Sequence, residues 1–244
     1  MRGVLAVARR VILGLAGDRP TVMLVVGAPF LLFFLFGQVL DAIPAGGVNG
    51  GFMRPVLLSV FLFILTYLLT GIGFLREREQ GTLERILTTR ATRLGIVAGY
   101  FVGFGVLAVV QATALAAAGV LFLKVTFTHG FAPFYGLELL GAFSALGIGI
   151  AASMLARSEL QIIQLAPLVL APQIILGGVF VPVDALPGWL QPVSRALPMT
   201  YLLDGMKELT QQGATGDLAL DVLVLAGFVV LAAVAAVAVL RLRG

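Results

Sequence analysis

The chain has 244 residues, of which 60% are hydrophobic and 11% charged, and its mean hydropathy is +1.08. Soluble domains carry about a quarter charged residues, so this composition excludes an ordinary soluble domain and indicates an integral membrane protein. The net charge of +4 would also be compatible with a nucleic-acid partner. However, the basic residues lie mostly at the boundaries of apolar segments, without exposed aromatic residues between them, so we predict no such partner. The absence of cysteine excludes disulfides, thiolate metal sites and cysteine nucleophiles.

The N-terminal residues, 1–19, are predicted to form an amphipathic helix. At about 100° per residue, Arg2 and Arg9 fall opposite an apolar face. That face consists of Val4, Ala8, Val11 and Leu15. Such a helix can lie in the membrane interface, with Asp18-Arg19-Pro20 ending it, and a frayed basic tail is the alternative. Arg9 and Arg10 interrupt what would have to be the apolar region of a cleavable signal peptide, so we predict none.

Six apolar stretches follow, each near the roughly 20 residues that a bilayer core requires. They comprise residues 21–40, 55–75, 94–123, 134–156, 160–181 and 218–240. With a cytoplasmic N-terminus, twelve of the 16 lysines and arginines lie inside, and the outside segments hold only Arg54, Lys124, Arg195 and Lys207. The positive-inside rule therefore predicts that both termini are cytoplasmic. We predict a single all-α transmembrane domain, 1–244, with six transmembrane helices.

The second span carries a mildly polar face within about 80° of arc. This face consists of Ser59, Phe63, Thr66, Thr70 and Gly73. A stripe of this kind either packs against another helix or lines a pathway, and packing is the commoner cause. Small residues recur every four positions in the third span (Gly95, Gly99 and Gly103) and in the fourth (Gly141, Ala145, Gly149 and Ser153). We predict that these small residues form close-packing faces without chemistry.

A charged loop, residues 76–93, joins the second and third spans. Gly81 is expected to break the incoming helix, and Thr82 to cap a new short helix that has Glu84 in its first turn. From the charge pattern alone, an ordinary solvated loop is an equally good interpretation.

The fifth span contains Gln161 and Gln164, which project within about 60° of each other on a helix. Interhelical hydrogen bonding and pathway lining explain these glutamines equally well. Pro167 and Pro172 predict a bent element that is irregular near Pro172, because proline frees backbone groups that then need other partners.

Residues 183–216, between the fifth and sixth spans, are too polar to cross a membrane and too apolar for a free loop. Apolar residues recur at helical spacing before and after Pro198. They are Leu186, Trp189, Leu190 and Val193, and then Tyr201, Leu202, Met206 and Leu209. We predict two short amphipathic helices that re-enter the outer leaflet, with Trp189 and Tyr201 at interfacial depth.

Residues with the chemistry of catalysis are missing from this pattern, so we predict no catalytic, metal or cofactor site. No ionisable residue lies near the middle of any span, which argues against the hypothesis of an ion-coupled carrier. His129 is predicted in an outside loop without a second cluster of donors, and its role is left open. Neither Lys124 nor Lys207 follows a glycine, which excludes a phosphate-binding P-loop, so any ATP would be bound by another polypeptide.

Two separate stretches resemble the type-2 ABC transporter permeases, a family of drug, lipid and polysaccharide exporters. The first is the Glu-x-Glu-x-Gly-Thr-Leu-Glu-Arg-Ile-Leu sequence of residues 77–87, which resembles the family's cytoplasmic loop with its coupling helix. The second runs from Leu176 to Lys207 and is similar to the outer re-entrant segment of the family and the Pro-x-Thr-Tyr stretch that follows it. Its matching residues include Pro182, Pro187, Trp189, Pro198 and Tyr201.

The resemblance implies that the coupling loop docks on a separate cytoplasmic ATP-binding subunit, which would hold the ATP and magnesium. The implied coupling residues are Glu77, Glu79, Gly81, Thr82, Glu84 and Arg85. It also implies that the second and fifth spans of two permease subunits face the translocation path. This favours the pathway interpretation of the polar residues on these two spans. These are Ser59, Thr66, Thr70, Gln161 and Gln164.

The expected assembly is thus a dimer in the lipids of the cell membrane, with a homodimer favoured over a heterodimer. The aliphatic and Phe-rich spans favour a lipophilic or amphipathic cargo, such as a drug, an antibiotic or a lipid. Export of a polysaccharide or lipid-linked glycan, an ATP-independent carrier or channel, and a scaffold without transport are the alternatives.

Overall fold

The computed structural model describes residues 2–17, 23, 27–42, 50–81, 92–211 and 216–242. All regular secondary structure in these ranges is helical, as the all-α prediction requires. The α-helices are α1 (Arg2–Gly17), α2 (Ala28–Ala42), α3 (Gly50–Glu79), α4 (Arg93–Ala118), α5 (Phe131–Leu155), α6 (Glu159–Leu176), α7 (Gln191–Arg195), α8 (Pro198–Thr210) and α9 (Leu218–Leu242). A π-helical turn, Gly119–Leu123, continues α4, and a 3₁₀ turn, Val183–Ala185, precedes α7.

Five stretches of helix among the described residues are long and apolar enough to cross a membrane. They are Phe52–Glu79, Gly95–Leu123, Phe131–Leu155, Glu159–Leu176 and Leu218–Ala236. The first predicted span, 21–40, corresponds to α2, whose apolar part Pro29–Ala42 is shorter than a crossing. Because residues 18–22 and 24–26 lie outside the described part, the six-span layout stays a prediction.

The core forms where α3 packs along α5, with α6 also against α3 and α9 also against α5. Phe63 and Tyr67 of α3 are completely buried. The predicted small-residue face of the fourth span is confirmed at Gly149, where an added Cβ would lie 2.6 Å from the carbonyl oxygen of Tyr67. Only glycine permits this separation, so the two helices meet backbone to backbone.

The predicted N-terminal helix is present, and its partner is α4. Val7 and Val11 are buried, whereas Arg9 and Arg10 are exposed. The glycine face of the third span is confirmed as the surface that receives α1. A Cβ on Gly99 would lie 2.6 Å from the Cβ of Val7. The placement of α1 in the membrane interface stays a prediction.

The fifth span differs from its predicted form. The irregularity expected near Pro172 is wrong, because α6 remains helical through Pro167 and Pro172 and ends at Leu176 rather than near 181. The chain turns away two residues later at Gly178, which has a φ of 91°. Glycine adopts this left-handed conformation without the steric penalty of a side chain.

Residues 183–211 contain the 3₁₀ turn, α7 and α8. The first predicted amphipathic helix is shorter than its apolar spacing suggests, since Trp189 lies before α7 and is exposed. The second is present as α8, where Leu202, Met206 and Leu209 are buried. Both helices lie beside the end of α6, and α8 also packs against α5 and α9.

Candidate functional site

The charged residues before Gly81 form the last turn of a helix. The helix α3 continues to Glu79, and Gly81 has a φ of 65°, so the predicted helix break at Gly81 is confirmed. The other predicted coupling residues, Thr82, Glu84 and Arg85, lie outside the described residues, and the short coupling helix therefore stays a prediction. We call residues 76–79 the stem, because they lead from the membrane span into that loop.

Arg76 links the stem to the beginning of α6. Its Nε donates a hydrogen bond to Glu159 Oε1 at 2.6 Å, and its Nη2 donates to Oε2 at 3.1 Å. This paired geometry orients the guanidinium as well as neutralising the carboxylate. Ser158 caps the same end of α6 by accepting the backbone N–H of Gln161. The start of the fifth span is thus fastened to the end of the second.

Arg78 links the stem to the end of α5. Its guanidinium donates to the carbonyl of Ser153 and, at 3.5 Å, to the carbonyl of Ala156. Carbonyls at a helix C-terminus lack partners within the helix, so an arginine is a favourable donor there. This contact ties a third helix to the stem.

Glu77 joins the stem to α1 and α4. Its Oε2 accepts a hydrogen bond from the Tyr100 hydroxyl at 3.3 Å and lies 3.8 Å from Arg10 Nε. Glu79, by contrast, is exposed. The two predicted coupling carboxylates of the stem therefore differ, since Glu77 contacts neighbouring helices and Glu79 is exposed.

The predicted pathway residues of the second span are buried within the chain. The hydroxyl of Ser59 donates to Glu138 Oε1 at 2.5 Å, and that of Thr66 donates to Gln111 Oε1 at 3.2 Å. Thr70 donates to the carbonyl of Thr66 at 2.7 Å. These contacts are those expected from the packing interpretation of the polar face.

Gln161 and Gln164, the predicted pathway residues of the fifth span, are exposed on α6. Gln161 accepts the backbone N–H of Arg157 at 2.6 Å, whereas Gln164 makes no hydrogen bond to the described part of the chain. The structure does not bring these glutamines together with Ser59, Thr66 or Thr70. The pathway assignment stays a prediction. Its residues on the second span are buried, whereas those on the fifth span are exposed.

Residues 182–210 contain the predicted re-entrant residues and form a compact unit at the C-terminal end of α6. We call it the outer unit, after its predicted position. Pro182 precedes the 3₁₀ turn, Pro198 is the first residue of α8, and Trp189 is exposed in the turn after Pro187. Tyr201 donates from its hydroxyl to the carbonyl of Arg195 at 2.8 Å.

Hydrogen bonds hold this unit against α6. Ser194 donates to the carbonyl of Leu176 at 2.7 Å, and the backbone N–H of Met199 donates to Gln173 Oε1 at 3.2 Å. The unit is therefore fixed to the fifth span and would move with it.

Glu138 and Gln111 are among the buried polar residues that the sequence pattern did not identify. Glu138 is completely buried in α5, and its Oε2 has no hydrogen-bond partner. Gln111 is buried in α4 and accepts the hydrogen bond from Thr66. An acidic side chain within an apolar span is itself a signal of function, and this signal could have identified Glu138.

An ion cluster lies at the end of the bundle away from the stem. It joins the end of α2, the start of α3 and the residue that follows the π-helical turn after α4. Asp41 accepts from Arg54 at 2.7 Å and from Lys124 at 2.6 Å, and Arg54 also donates to the carbonyl of Leu123 at 2.5 Å. Arg54 and Lys124, both predicted outside, thus meet at one end of the bundle. The stem lies at the other end of α3.

Comparisons with known proteins indicate the family. The family model described as ABC-2 type transporter matches residues 2–209. The probable multidrug ABC transporter permease YbhR of Escherichia coli strain K12 is 29% identical over 167 residues, which cover 68% of this chain and 45% of that protein. The linearmycin resistance permease protein LnrN of Bacillus subtilis strain 168 is 26% identical over 161 residues, covering 64% of this chain and 40% of LnrN.

ABC transporter G family member 20 of Dictyostelium discoideum is 26% identical over 162 residues, covering 66% of this chain and 22% of that protein. The chain therefore spans less than half the length of each of these relatives.

Proposed function

Since this chain belongs to the ABC-2 type transporter family, we propose that it is the membrane-spanning permease subunit of an ATP-driven exporter. Two permease subunits, identical in the simplest arrangement, form the pathway, and a separate cytoplasmic ATPase binds ATP and magnesium. The observation that carries this proposal is the stem, whose side chains contact four other helices. A single charged turn is thus connected to most of the bundle at the end where an ATPase would act.

The proposed mechanism transmits movement through α3. A displacement of the loop 82–91 by the closing ATPase acts first on the stem. Because α3 is continuous from Gly50 to Glu79, the displacement reaches the full depth of the membrane. Arg76 conveys it to α6 through Glu159, and Glu77 conveys it to α1. The outer unit moves with α6, since Gln173 and Ser194 fasten it there.

We propose that the pathway runs along the exposed side of α6. Only four residues of this helix are buried in the single chain, and its exposed residues include Leu168 and Ile175. Gln161 and Gln164 provide polar groups on an otherwise apolar surface that a second permease subunit could complete. Ser59, Thr66 and Thr70 contribute instead to the packing of α3 against α4 and α5.

The proposed cargo is lipophilic or amphipathic. Two of the relatives are named for multidrug transport and for linearmycin resistance. The spans of this chain are apolar and contain many of its 17 phenylalanines. A drug, an antibiotic or a lipid would partition into such surroundings more readily than a long sugar polymer.

An ATP-independent carrier is the second candidate, and the buried Glu138 is the observation that favours it. An intramembrane carboxylate is a common element of proton pathways. The two candidates differ in their energy source, so one reconstitution separates them.

The decisive experiment reconstitutes the chain with its cytoplasmic ATPase in liposomes and measures ATP hydrolysis with a series of lipophilic dyes. We expect dyes to stimulate hydrolysis, and Glu159→Gln to reduce that stimulation because the link from the stem to α6 is lost. The free energy of unfolding should change by only about 0.2–1 kcal/mol, since this ion pair is partly exposed. Arg76→Gln removes the same ion pair and should likewise reduce the stimulation.

Asp41→Asn is the matched control. Asp41 is also an ion-paired carboxylate, but it belongs to α2 and pairs with Arg54 at the end of α3 away from the stem. Its dye stimulation should equal that of the unmodified chain. Dye transport that follows an imposed proton gradient without ATP would refute the exporter proposal and support a carrier. Full stimulation in Glu159→Gln would show that the contact between the stem and α6 is not part of the mechanism.

A further inference from the structure

A polar cavity of about 560 Å³ lies between the outer unit and the first turn of α9. Five acidic side chains line it, namely Asp184, Asp204, Glu208, Asp217 and Asp221. The basic side chains among its described lining residues are Arg195 and Lys207. The cavity therefore carries an excess of negative charge.

The two basic residues are already paired. Arg195 lies 3.6 Å from Asp184, and Lys207 lies 2.7 Å from Asp204. Asp217 accepts the backbone N–H of Leu220 at 3.2 Å and thereby caps α9. The acidic residues outside these two ion pairs are thus Glu208 of α8, Asp217 at the cap of α9 and Asp221 of α9.

Asp221 is the residue that most clearly indicates a cationic ligand. It is only 5% exposed, and no hydrogen bond to its side chain is found among the described residues. The cation that acts on it is Lys207, which is already paired with Asp204. Burying a carboxylate with so little compensation is strongly unfavourable, and buried charges are normally paired. Since Asp221 faces the cavity, a ligand there can supply the missing positive charge.

The arrangement favours an organic cation over a metal ion. No three acidic or histidine side chains in the described part of the chain are grouped closely enough to hold a metal. The cavity is instead wide and has apolar wall residues, including Tyr201 and Leu220. An organic cation can place its apolar part against such residues and its charged group against a carboxylate.

We propose that this cavity binds an organic ammonium ion, with the ammonium group against Asp221 and the apolar part of the ligand against Tyr201 and Leu220. The site is separate from the proposed pathway along Gln161 and Gln164. It requires neither the ATPase nor transport, so it can fail while the exporter proposal stands, and the reverse also holds.

Binding is tested on the purified full chain in lipid nanodiscs, with fluorescent dansylcadaverine as the cationic probe and uncharged dansylamide as its matched analogue. We expect dansylcadaverine to bind more tightly. Asp221→Asn keeps the side-chain shape and removes the charge, so it should weaken dansylcadaverine binding on the order of tenfold or more, the loss expected for a charge-assisted hydrogen bond. Asp41→Asn removes an acidic residue outside the cavity and should leave binding unchanged.

Lys207→Met provides the opposite test. It removes a competing cation, so dansylcadaverine should bind more tightly while dansylamide binding stays the same, whereas unfolding would expose apolar surface to both dyes. Equal binding of the two dyes would overturn the proposal, as would unchanged binding in a folded Asp221→Asn variant. If Asp221→Asn does not fold, Lys207→Met decides alone, and unchanged or weaker binding in that variant refutes the site.

Discussion

At the scale of single residues, the polar side chains of the membrane spans divide into buried and exposed ones. Thr66 is buried and donates to Gln111, whereas Gln164 is exposed on α6. A buried polar group without a partner is costly, so the pairs Ser59–Glu138 and Thr66–Gln111 restrict how α3 can pack. An exposed glutamine imposes no such restriction and is available to a ligand or a second subunit.

This difference predicts opposite effects for two similar substitutions. Thr66→Val should lower the free energy of unfolding by about 0.6 kcal/mol, the average for a hydrogen bond within a membrane protein, without changing the dye profile of ATPase stimulation. Gln164→Leu should change the dye profile with little loss of stability. Thermal melting and the dye profile are measured on both variants. A changed dye profile with an unchanged melting temperature in Thr66→Val would mean that Thr66 lines the pathway.

At the scale of elements, the position of α1 depends on two glycines of α4. The apolar side of α1 contacts α4 where Gly99 and Gly103 carry no side chain, and Val7 and Val11 fill that space. Because Arg10 of α1 also approaches Glu77, this helix is held both by its apolar face and by the stem.

Gly99→Ala is therefore expected to be destabilising, although alanine is the better helix former. The new Cβ would lie 2.6 Å from the Cβ of Val7, and overpacking of this kind costs about 1–3 kcal/mol. Gly227→Ala in α9 is the matched control, since nothing lies within 4 Å of its Cβ position. We expect a lower melting temperature and faster hydrogen exchange in α1 for Gly99→Ala, but not for Gly227→Ala. Equal melting temperatures would mean that α1 shifts without cost.

At the scale of the whole molecule, the charged contacts separate into two groups at opposite ends of α3. Asp41, Arg54 and Lys124 meet at one end, and the stem meets Glu159 and the end of α5 at the other. The predicted topology requires this separation, and the cytoplasmic location of the stem and of both termini stays a prediction.

Cysteine labelling tests this topology, because the chain contains no cysteine of its own. Single cysteines at His129, Gly188 and Gln80 all replace exposed residues. An impermeant thiol reagent applied to intact cells should label the first two and leave the third unlabelled until the membrane is opened. Labelling at Gln80 in intact cells would invert the topology and with it the role of the stem.

Composition and periodicity determine much of this protein by themselves. About 20 apolar residues are needed to cross a bilayer, so the approximate positions of five spans follow from hydropathy, although the fifth ends at Leu176 rather than near 181. The helix break at Gly81 and the close-packing role of Gly99 and Gly149 also follow from local rules, because a missing Cβ acts through the backbone nearest to it.

Tertiary structure alone decides which neighbour meets each face. Helical periodicity groups Ser59, Thr66 and Thr70 on one side, but it does not distinguish a helix partner from a pathway. The structure supplies Glu138 and Gln111 as partners, which lie 79 and 45 residues away in the chain. In the same way, the cavity at Asp221 exists only because α8 folds back beside α9. Contacts between such distant residues depend on how helices associate, and no local pattern in the chain encodes that.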